Sequence, residues 1–331
     1  MPDAAENATP PTTADPVSAA GTDPVSADGR WESPALAGSV ALVTGGSRGV
    51  GRGIALALGD AGATVYVTGR STRAEGSTEG LPGTVDETAD EVTKRGGQGI
   101  AMRCDHHDDA QVAALFERIA AEQDGRLDLL VNNAWSGYER SFEARFDAPF
   151  WRQPMWRYDA YAASVRAQFT ASRHAVELML PRDTGLIVTI SYTDGDTYLG
   201  QAAYDMFKAA SDRLSRAMAG DLRKTQIASI GLHPGFVRTE RVEAAWSALG
   251  SGPAAVVHSA EYVGRAVAHL LADPAVRADS GQVLAVGDLA ERYDFSDVDG
   301  RRPPAFRLEG MMSLATRMER LNRVIAAQQK G

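Results

Sequence analysis

From Ser39 onward, apolar and polar positions follow two rhythms in turn. Val40-Ala41-Leu42-Val43 is a short continuous apolar run, the pattern of a strand buried on both faces. It breaks at Thr44-Gly45-Gly46-Ser47-Arg48-Gly49-Val50-Gly51. An amphipathic stretch through Ala61 then leads to a second apolar run, Thr64-Val65-Tyr66-Val67. Strand, glycine-rich turn, helix and strand make a βαβ unit. Thr84 and Glu87 have the spacing of a capping box that opens a helix to Lys94. The pattern predicts further strands over 99–104, 127–131, 185–190, 226–231 and 282–286, and helices over 108–122, 159–180, 201–222 and 260–272. Seven strands alternating with helices predict an α/β fold built on one doubly wound parallel sheet with helices on both faces.

Residues 1–36 lack this patterning. They are mostly Ala, Pro, Thr, Ser and Asp, and they repeat Asp-Pro-Val-Ser-Ala at 15–19 and 23–27. Such a segment cannot offset its ordering entropy, so a disordered tail is expected. The folded domain is expected over 37–290. Residues 291–331 read as an extension whose amphipathic helix, 311–327, packs on the body or on a partner subunit.

Composition narrows the classes. With 44% hydrophobic and 23% charged residues, the 331-residue chain can bury a sizeable core. A net charge of −9 argues against nucleic acid or an anionic membrane as partner. The single cysteine, Cys104, excludes an internal disulfide and fits a reducing cytoplasm. No apolar run approaches the ~18 residues of a membrane span, and the N-terminus has no signal-peptide core. A cytoplasmic location is the expectation, and no metal site is anticipated.

In an open parallel sheet the C-terminal ends of the strands line the ligand crevice. The turn 44–51, Asp105, Asn132-Asn133-Ala134, Ser191 and Pro234-Gly235 all fall just after predicted strands. The turn lets backbone amides and a helix N-terminus approach a pyrophosphate. No Gly-Lys-Ser/Thr follows, so it is not a nucleotide-hydrolysing P-loop; the alternative is a turn that merely packs helix on strand. Tyr204 and Lys208 lie one helical turn apart on one face. Bringing a phenol from pKa ~10 to ~7 takes roughly 4 kcal/mol. An ammonium at ~4 Å supplies about that at an effective dielectric of ~20. The pair is therefore expected to make the phenol an acid–base group, against the alternative of a surface helix with one exposed lysine.

Taken together, these residues resemble the short-chain dehydrogenase/reductase family over about 36–290. They are Thr-Gly-x-x-x-Gly-x-Gly at 44–51, Asn-Asn-Ala at 132–134, Ser191, Tyr204-x-x-x-Lys208 and Pro234-Gly235, with Ser191 13 positions before Tyr204. The resemblance implies a Rossmann-type fold and a nicotinamide-dependent oxidoreductase. By it, Tyr204 is the general acid, Ser191 orients the substrate oxygen, and Lys208 holds the nicotinamide ribose while lowering the tyrosine pKa. It also implies cofactor contacts from Gly45, Ser47, Arg48, Gly49, Val50, Gly51, Asn133, Ala134, Pro234 and Gly235. Asp105 and His106 should lie by the adenine, although His106 is equally readable as merely exposed. Members specific for NAD carry an acidic residue at the end of the second strand. Here Thr68-Gly69-Arg70 stands there, with Arg48 in the turn. Two guanidinium groups are expected to face one another across the 2′-phosphate of NADP(H); the alternative is two solvent-facing arginines. The helices at 159–180 and 201–222 are subunit faces in this family, which implies a homodimer or homotetramer.

Two departures stand out. Ser164 occupies the place of the family's tetrad asparagine and is expected to support a water of the proton relay. Trp135 replaces the glycine that usually follows Asn-Asn-Ala. It opens a stretch with nine aromatic residues between 135 and 161, expected to wall a site for a bulky apolar carbonyl compound. A second wall and lid are expected from 236–259, and His233 reads as structural. Phe150-Trp151-Arg152-Gln153-Pro154-Met155-Trp156, with 62–70, is similar to the dehydrogenase/reductase member 1-like branch. That branch is associated with NADPH-dependent reduction of ketones, steroids included, and its members also lack the tetrad asparagine. The expected function is NADP(H)-dependent hydride transfer to or from a carbonyl or secondary alcohol. Alternatives are a β-ketoacyl-type reductase, which calls for a basic patch facing a carrier protein, and a catalytically silent NADP-sensing protein, which normally loses the Tyr or Lys.

Overall fold

The apolar runs become strands because each can bury both faces at once. The computed structural model describes residues 31–78, 80–140, 143–195, 197–243 and 256–307. Its strands are β1 (Val40–Thr44), β2 (Thr64–Gly69), β3 (Gln98–Arg103), β4 (Leu129–Asn132), β5 (Gly185–Ile190), β6 (Ile227–His233), β7 (Phe236–Val237), β8 (Val257–His258) and β9 (Val283–Ala285). Seven of them form one parallel sheet in the order β3-β2-β1-β4-β5-β6-β9, and β7 pairs with β8. The helices are α1 (Gly49–Asp60), α2 (Val85–Lys94), α3 (Asp109–Glu122), α4 (Met155–Met179), α5 (Ala202–Asp221), α6 (Ala260–Ala272) and α7 (Val286–Tyr293).

Alternate residues of each central strand feed opposite cores, as the two-residue period of a pleated strand requires. Val43, Val131 and Val188 pack with α1, α2 and α6. Their neighbours Leu42, Leu130 and Ile187 pack with α3 and α4. The strand order reverses between β1 and β4, and this opens a crevice at the C-terminal edge of the sheet. The capping box forms: Thr84 Oγ1 accepts from Glu87 N at 3.1 Å, and Glu87 Oε2 accepts from Thr84 N at 3.0 Å.

Three boundaries differ from expectation. α4 starts at Met155, earlier than 159; its N-cap is Pro154, and no side-chain cap hydrogen bond marks the start. Residues from Trp31 to Leu36, expected in the tail, are packed on the body. Leu36 is buried, and the Trp31 ring lies 5.8 Å from His269 and under Arg265 at 5.0 Å. At the other end, β9 stops at Ala285 and α7 follows directly. Residues 294–307 then run back across the body, where Tyr262 Oη donates to Pro303 O at 3.0 Å and Arg301 donates to Val257 O at 3.2 Å. The first part of the extension is thus part of the body. Residues 1–30 and the helix expected over 311–327 lie outside the described residues. Among the described residues no helix is long and apolar enough to cross a membrane.

Candidate active site

The strand ends and the loops after them enclose a cavity of about 590 Å³, within the range of small-molecule sites. Every residue expected in the site lines it except Gly51 and Ser164.

The glycine-rich turn is held from beneath. Asn133 Nδ2 donates to Thr44 O (2.9 Å) and Gly45 O (3.0 Å), while Thr44 Oγ1 accepts from the amides of Asn133 (2.9 Å) and Ala134 (3.0 Å). Gly51 is a packing position: a Cβ there would sit 2.3 Å from Gly45 O and 2.4 Å from Asn133 Nδ2. At the start of α1, Gly49 N donates to the carboxylate of Glu240 at 2.9 Å. The amide at this helix N-terminus therefore already holds an anionic oxygen.

Arg48 and Arg70 do not face one another across an open gap, nor do they simply point to solvent. Arg48 donates to Ser71 Oγ (3.0 Å), Ser77 Oγ (2.7 Å), Pro82 O (3.1 Å) and Gly83 O (3.1 Å), tying the turn to the loop after β2. Arg70 pairs with Glu139 from the loop after β4. His106 is buried, not exposed. Its Nε2 lies 2.8 Å from Thr68 Oγ1, and burial pushes its pKa down to about 4.

The catalytic candidates come together with one correction to the charge argument. Lys208 is buried, and its Nζ sits 3.7 Å from the centre of the Trp135 ring but 5.7 Å from that of Tyr204. Burial pushes the lysine down to about 7, with Asp212 opposing. Burial likewise pushes Tyr204 up to about 12, against a hydrogen bond from Tyr138. Burial thus works against the charged form of each group, and it outweighs the expected ion–phenolate attraction. Trp135, the substitution for glycine, is what the ammonium rests on, a cation–π contact.

Ser164 is buried in α4 and is not part of the cavity lining. Its hydroxyl donates to Ala160 O at 2.8 Å and accepts from Ser136 N at 2.9 Å. That hydrogen is committed within α4, and the bond from Ser136 N ties the loop after β4 to the helix. The aromatic stretch divides. Trp135, Tyr138 and Phe146 line the cavity, whereas Phe150 and Trp151 are exposed and Trp156 stacks under Arg140 at 4.6 Å. Phe146 and Tyr161 lie 5.4 and 5.8 Å from the Tyr204 ring. Phe142, and 244–255 of the expected lid, lie outside the described residues.

Some site residues were not anticipated. Ser191 donates its hydroxyl to Asp212, which also accepts from Thr193 Oγ1 at 2.8 Å and lies 2.9 Å from His233 Nε2. Burial works to raise the Asp212 pKa, but the hydrogen bonds from His233, Ser191 and Thr193 hold it below its ordinary value. Asp212 is four residues beyond Lys208, so the spacing that singled out Lys208 pointed to it as well. Phe306 lines the cavity beside Tyr192 and Phe236, at 5.7 Å from each ring; no local signal marked it.

Comparison with known proteins agrees with this arrangement. Residues 39–249 match the family model for short chain dehydrogenase. The human protein "Dehydrogenase/reductase SDR family member 1" is 38% identical over 276 residues, covering 80% of this chain and 84% of its own. A metagenomic short-chain oxidoreductase solved with NADP superposes with a TM-score of 0.59 at 26% identity, over 76% of this chain and 96% of that one. A 7 alpha-hydroxysteroid dehydrogenase solved with NADH and 7-oxo glycochenodeoxycholic acid gives 0.62 at 27% identity, over 76% and 93%. Sheet order, glycine-rich turn and sequence match thus lead to one conclusion: this chain belongs to the short-chain dehydrogenase/reductase family of oxidoreductases, in the member 1-like branch.

Proposed function

We propose that the protein is an NADP(H)-dependent oxidoreductase that transfers hydride between the nicotinamide and a carbonyl or secondary alcohol, with bulky apolar ketones as substrates. The observation that carries this reading is the convergence of Tyr204, Ser191 and Lys208 on one aromatic-walled cavity at the strand ends. With its pKa near about 12, Tyr204 holds its proton at neutral pH and can give it to a ketone oxygen. The cofactor, when bound, supplies the hydride. Ser191 orients the carbonyl oxygen, Lys208 steadies the ribose side of the site, and Trp135, Phe146 and Phe306 exclude water. Ser164 takes no part in this reading.

The residues present fit the cofactor. Glu240 on the Gly49 amide and Glu139 on Arg70 act as internal stand-ins for two anions, a pyrophosphate oxygen and a 2′-phosphate. β2 ends at Gly69 and Arg70 follows, with no carboxylate there to repel that phosphate. In a fluorescence titration NADPH should bind about 10- to 100-fold more tightly than NADH, the value of one charge-assisted hydrogen bond. Arg70→Ala should erase that preference while leaving NADH affinity within about 2–3-fold, because the phosphate contact alone is removed. Equal affinities in the unaltered protein would remove the NADP assignment.

Substrate class is tested by following NADPH absorbance across a panel of aliphatic, aromatic and polycyclic ketones. The bulky members should turn over, and Phe306→Ala should raise their KM by roughly 5- to 20-fold, the loss of one half-buried aromatic wall partly compensated by neighbours. A panel in which only small polar ketones react overturns the apolar-substrate reading. Exposed Met155, Tyr158 and Phe169 on α4 and Met206 on α5 support a homo-oligomer formed through these helices.

A further inference from the structure

β2 ends without an acidic residue of its own, yet the fold delivers a carboxylate to that place from the loop after β4. Glu139, 69 residues further along the chain, pairs with Arg70. Both of its oxygens are engaged: Oε1 accepts from Arg70, and Oε2 accepts from Gly137 N at 2.7 Å. Burial works to raise the Glu139 pKa, but hydrogen bonds from backbone amides and from Arg70 hold it below its ordinary value. The carboxylate is therefore ionised at neutral pH. With side-chain exposures of 34% for Arg70 and 22% for Glu139, water screens the pair only in part.

The place of the pair in the fold gives it a consequence for cofactor choice. Arg70 is the first residue after β2, where an open parallel sheet reads the 2′ position of an adenosine ribose. Its side chain stands between the main cavity and a neighbouring recess and lines both, whereas Glu139 lines the recess and not the main cavity. The carboxylate thus holds the guanidinium from the recess side. A phosphate in the main cavity could share this cation with Glu139 only by facing another anion at short range. A good contact with the phosphate requires the pair to open. Arg48, across the cavity, is held by hydroxyl and carbonyl oxygens of 71–83, so the contest over an anion is centred on Arg70.

We propose that Glu139 is a specificity-determining residue: it competes with the 2′-phosphate for Arg70 and so limits how strongly the enzyme prefers NADP(H) over NAD(H). A cofactor with a 2′-hydroxyl leaves the pair closed and loses nothing by it. A cofactor with a 2′-phosphate replaces one anion by another on the same guanidinium, and its affinity is reduced by the contact it breaks. Discrimination is the difference between these two cases. This inference rests on the NADP(H) reading above.

Glu139→Gln tests it. The amide oxygen can still accept from Gly137 N, so the turn is kept, while the charge that holds Arg70 is lost. The measurements are Kd values for NADPH and NADH by fluorescence titration. Calorimetry with adenosine 2′,5′-bisphosphate and with AMP reports the adenosine end alone, and thermal melting checks folding. NADPH and the bisphosphate should bind about 3- to 10-fold more tightly than to the unaltered protein, between the worth of an exposed and of a buried ion pair, while NADH and AMP stay within about 2-fold. In an Arg70→Ala background the same substitution should change NADPH affinity by less than about 2-fold, because the cation competed for is gone. The proposal is overturned if the preference for NADPH does not rise in Glu139→Gln. It is overturned equally if both cofactors gain alike, or if the gain is as large without Arg70, since Glu139 would then be only a nearby negative charge. Full NADPH preference in Arg70→Ala alone would instead sink the reading that Arg70 binds the phosphate.

Discussion

Replacing Tyr204 by Phe should lower kcat for ketone reduction by about 10³- to 10⁴-fold, the upper range for loss of one positioned general acid, and leave NADPH binding unchanged. The ring itself is well held. Trp135, Phe146 and Tyr161 surround it at centroid distances of 6.2, 5.4 and 5.8 Å, and phenylalanine keeps all three contacts. What disappears is the hydroxyl that Tyr138 bonds. Stopped-flow reduction with NADPH pre-bound isolates the chemical step. A variant that keeps more than about a tenth of the normal rate would show that the proton comes from elsewhere, since a general acid is worth at least ~10²-fold.

The sequence made the sheet, the turn and the three catalytic candidates readable because each depends on local pattern. Buried parallel strands must be continuous apolar runs, and a pyrophosphate turn must be glycine-rich. Helical spacing brought Tyr204 and Lys208 together without tertiary information. Energies were less legible. The expected lysine–phenol attraction assumed about 4 Å and a solvated effective dielectric of ~20; the fold instead seats the ammonium on Trp135, and burial shifts both groups toward neutrality. Trp135 was visible as a departure, but nothing in its neighbourhood said which side chain it would contact.

Partners far apart in the chain were hidden for a related reason. Arg48 and Arg70 were visible in the sequence as cations in the turn after β1 and just past β2, yet their partners come from 71–83 and from Glu139, in irregular segments whose paths no periodicity fixes. Phe306 reaches the cavity only because residues 294–307 fold back over α6. Asp212 is the instructive intermediate. Its place on the reactive helix face could be read from spacing alone, but an aspartate there is equally an ordinary solvated residue until β6 brings His233 against it.

The largest stability effect should come from Gly264→Val, in the interface between α1 and α6. A Cβ at Gly264 would lie 2.4 Å from Gly53 O, 2.7 Å from Ala57 Cβ and 2.9 Å from Ile54 Cα, and one at Gly53 would lie 2.3 Å from the Ala260 carbonyl. Two of the atoms opposing Gly264 are backbone, so no rotamer change relieves the clash; the helices must move apart. Separating them opens the core that holds Ile54, Val263 and Val267. Overpacking of this kind costs about 1–3 kcal/mol when side chains can yield, and here it should exceed ~4 kcal/mol. For a domain of this size that lowers Tm by roughly 8–16 °C, readable by thermal or urea unfolding. Displacing α1 also moves the Gly49 amide at its start, so surviving folded protein should bind NADPH more weakly than the unaltered enzyme. Gly264→Ala should cost about 2 kcal/mol by the same contacts. A valine variant that melts within about 2 °C of the unaltered protein would mean that α1 and α6 do not pack backbone to backbone.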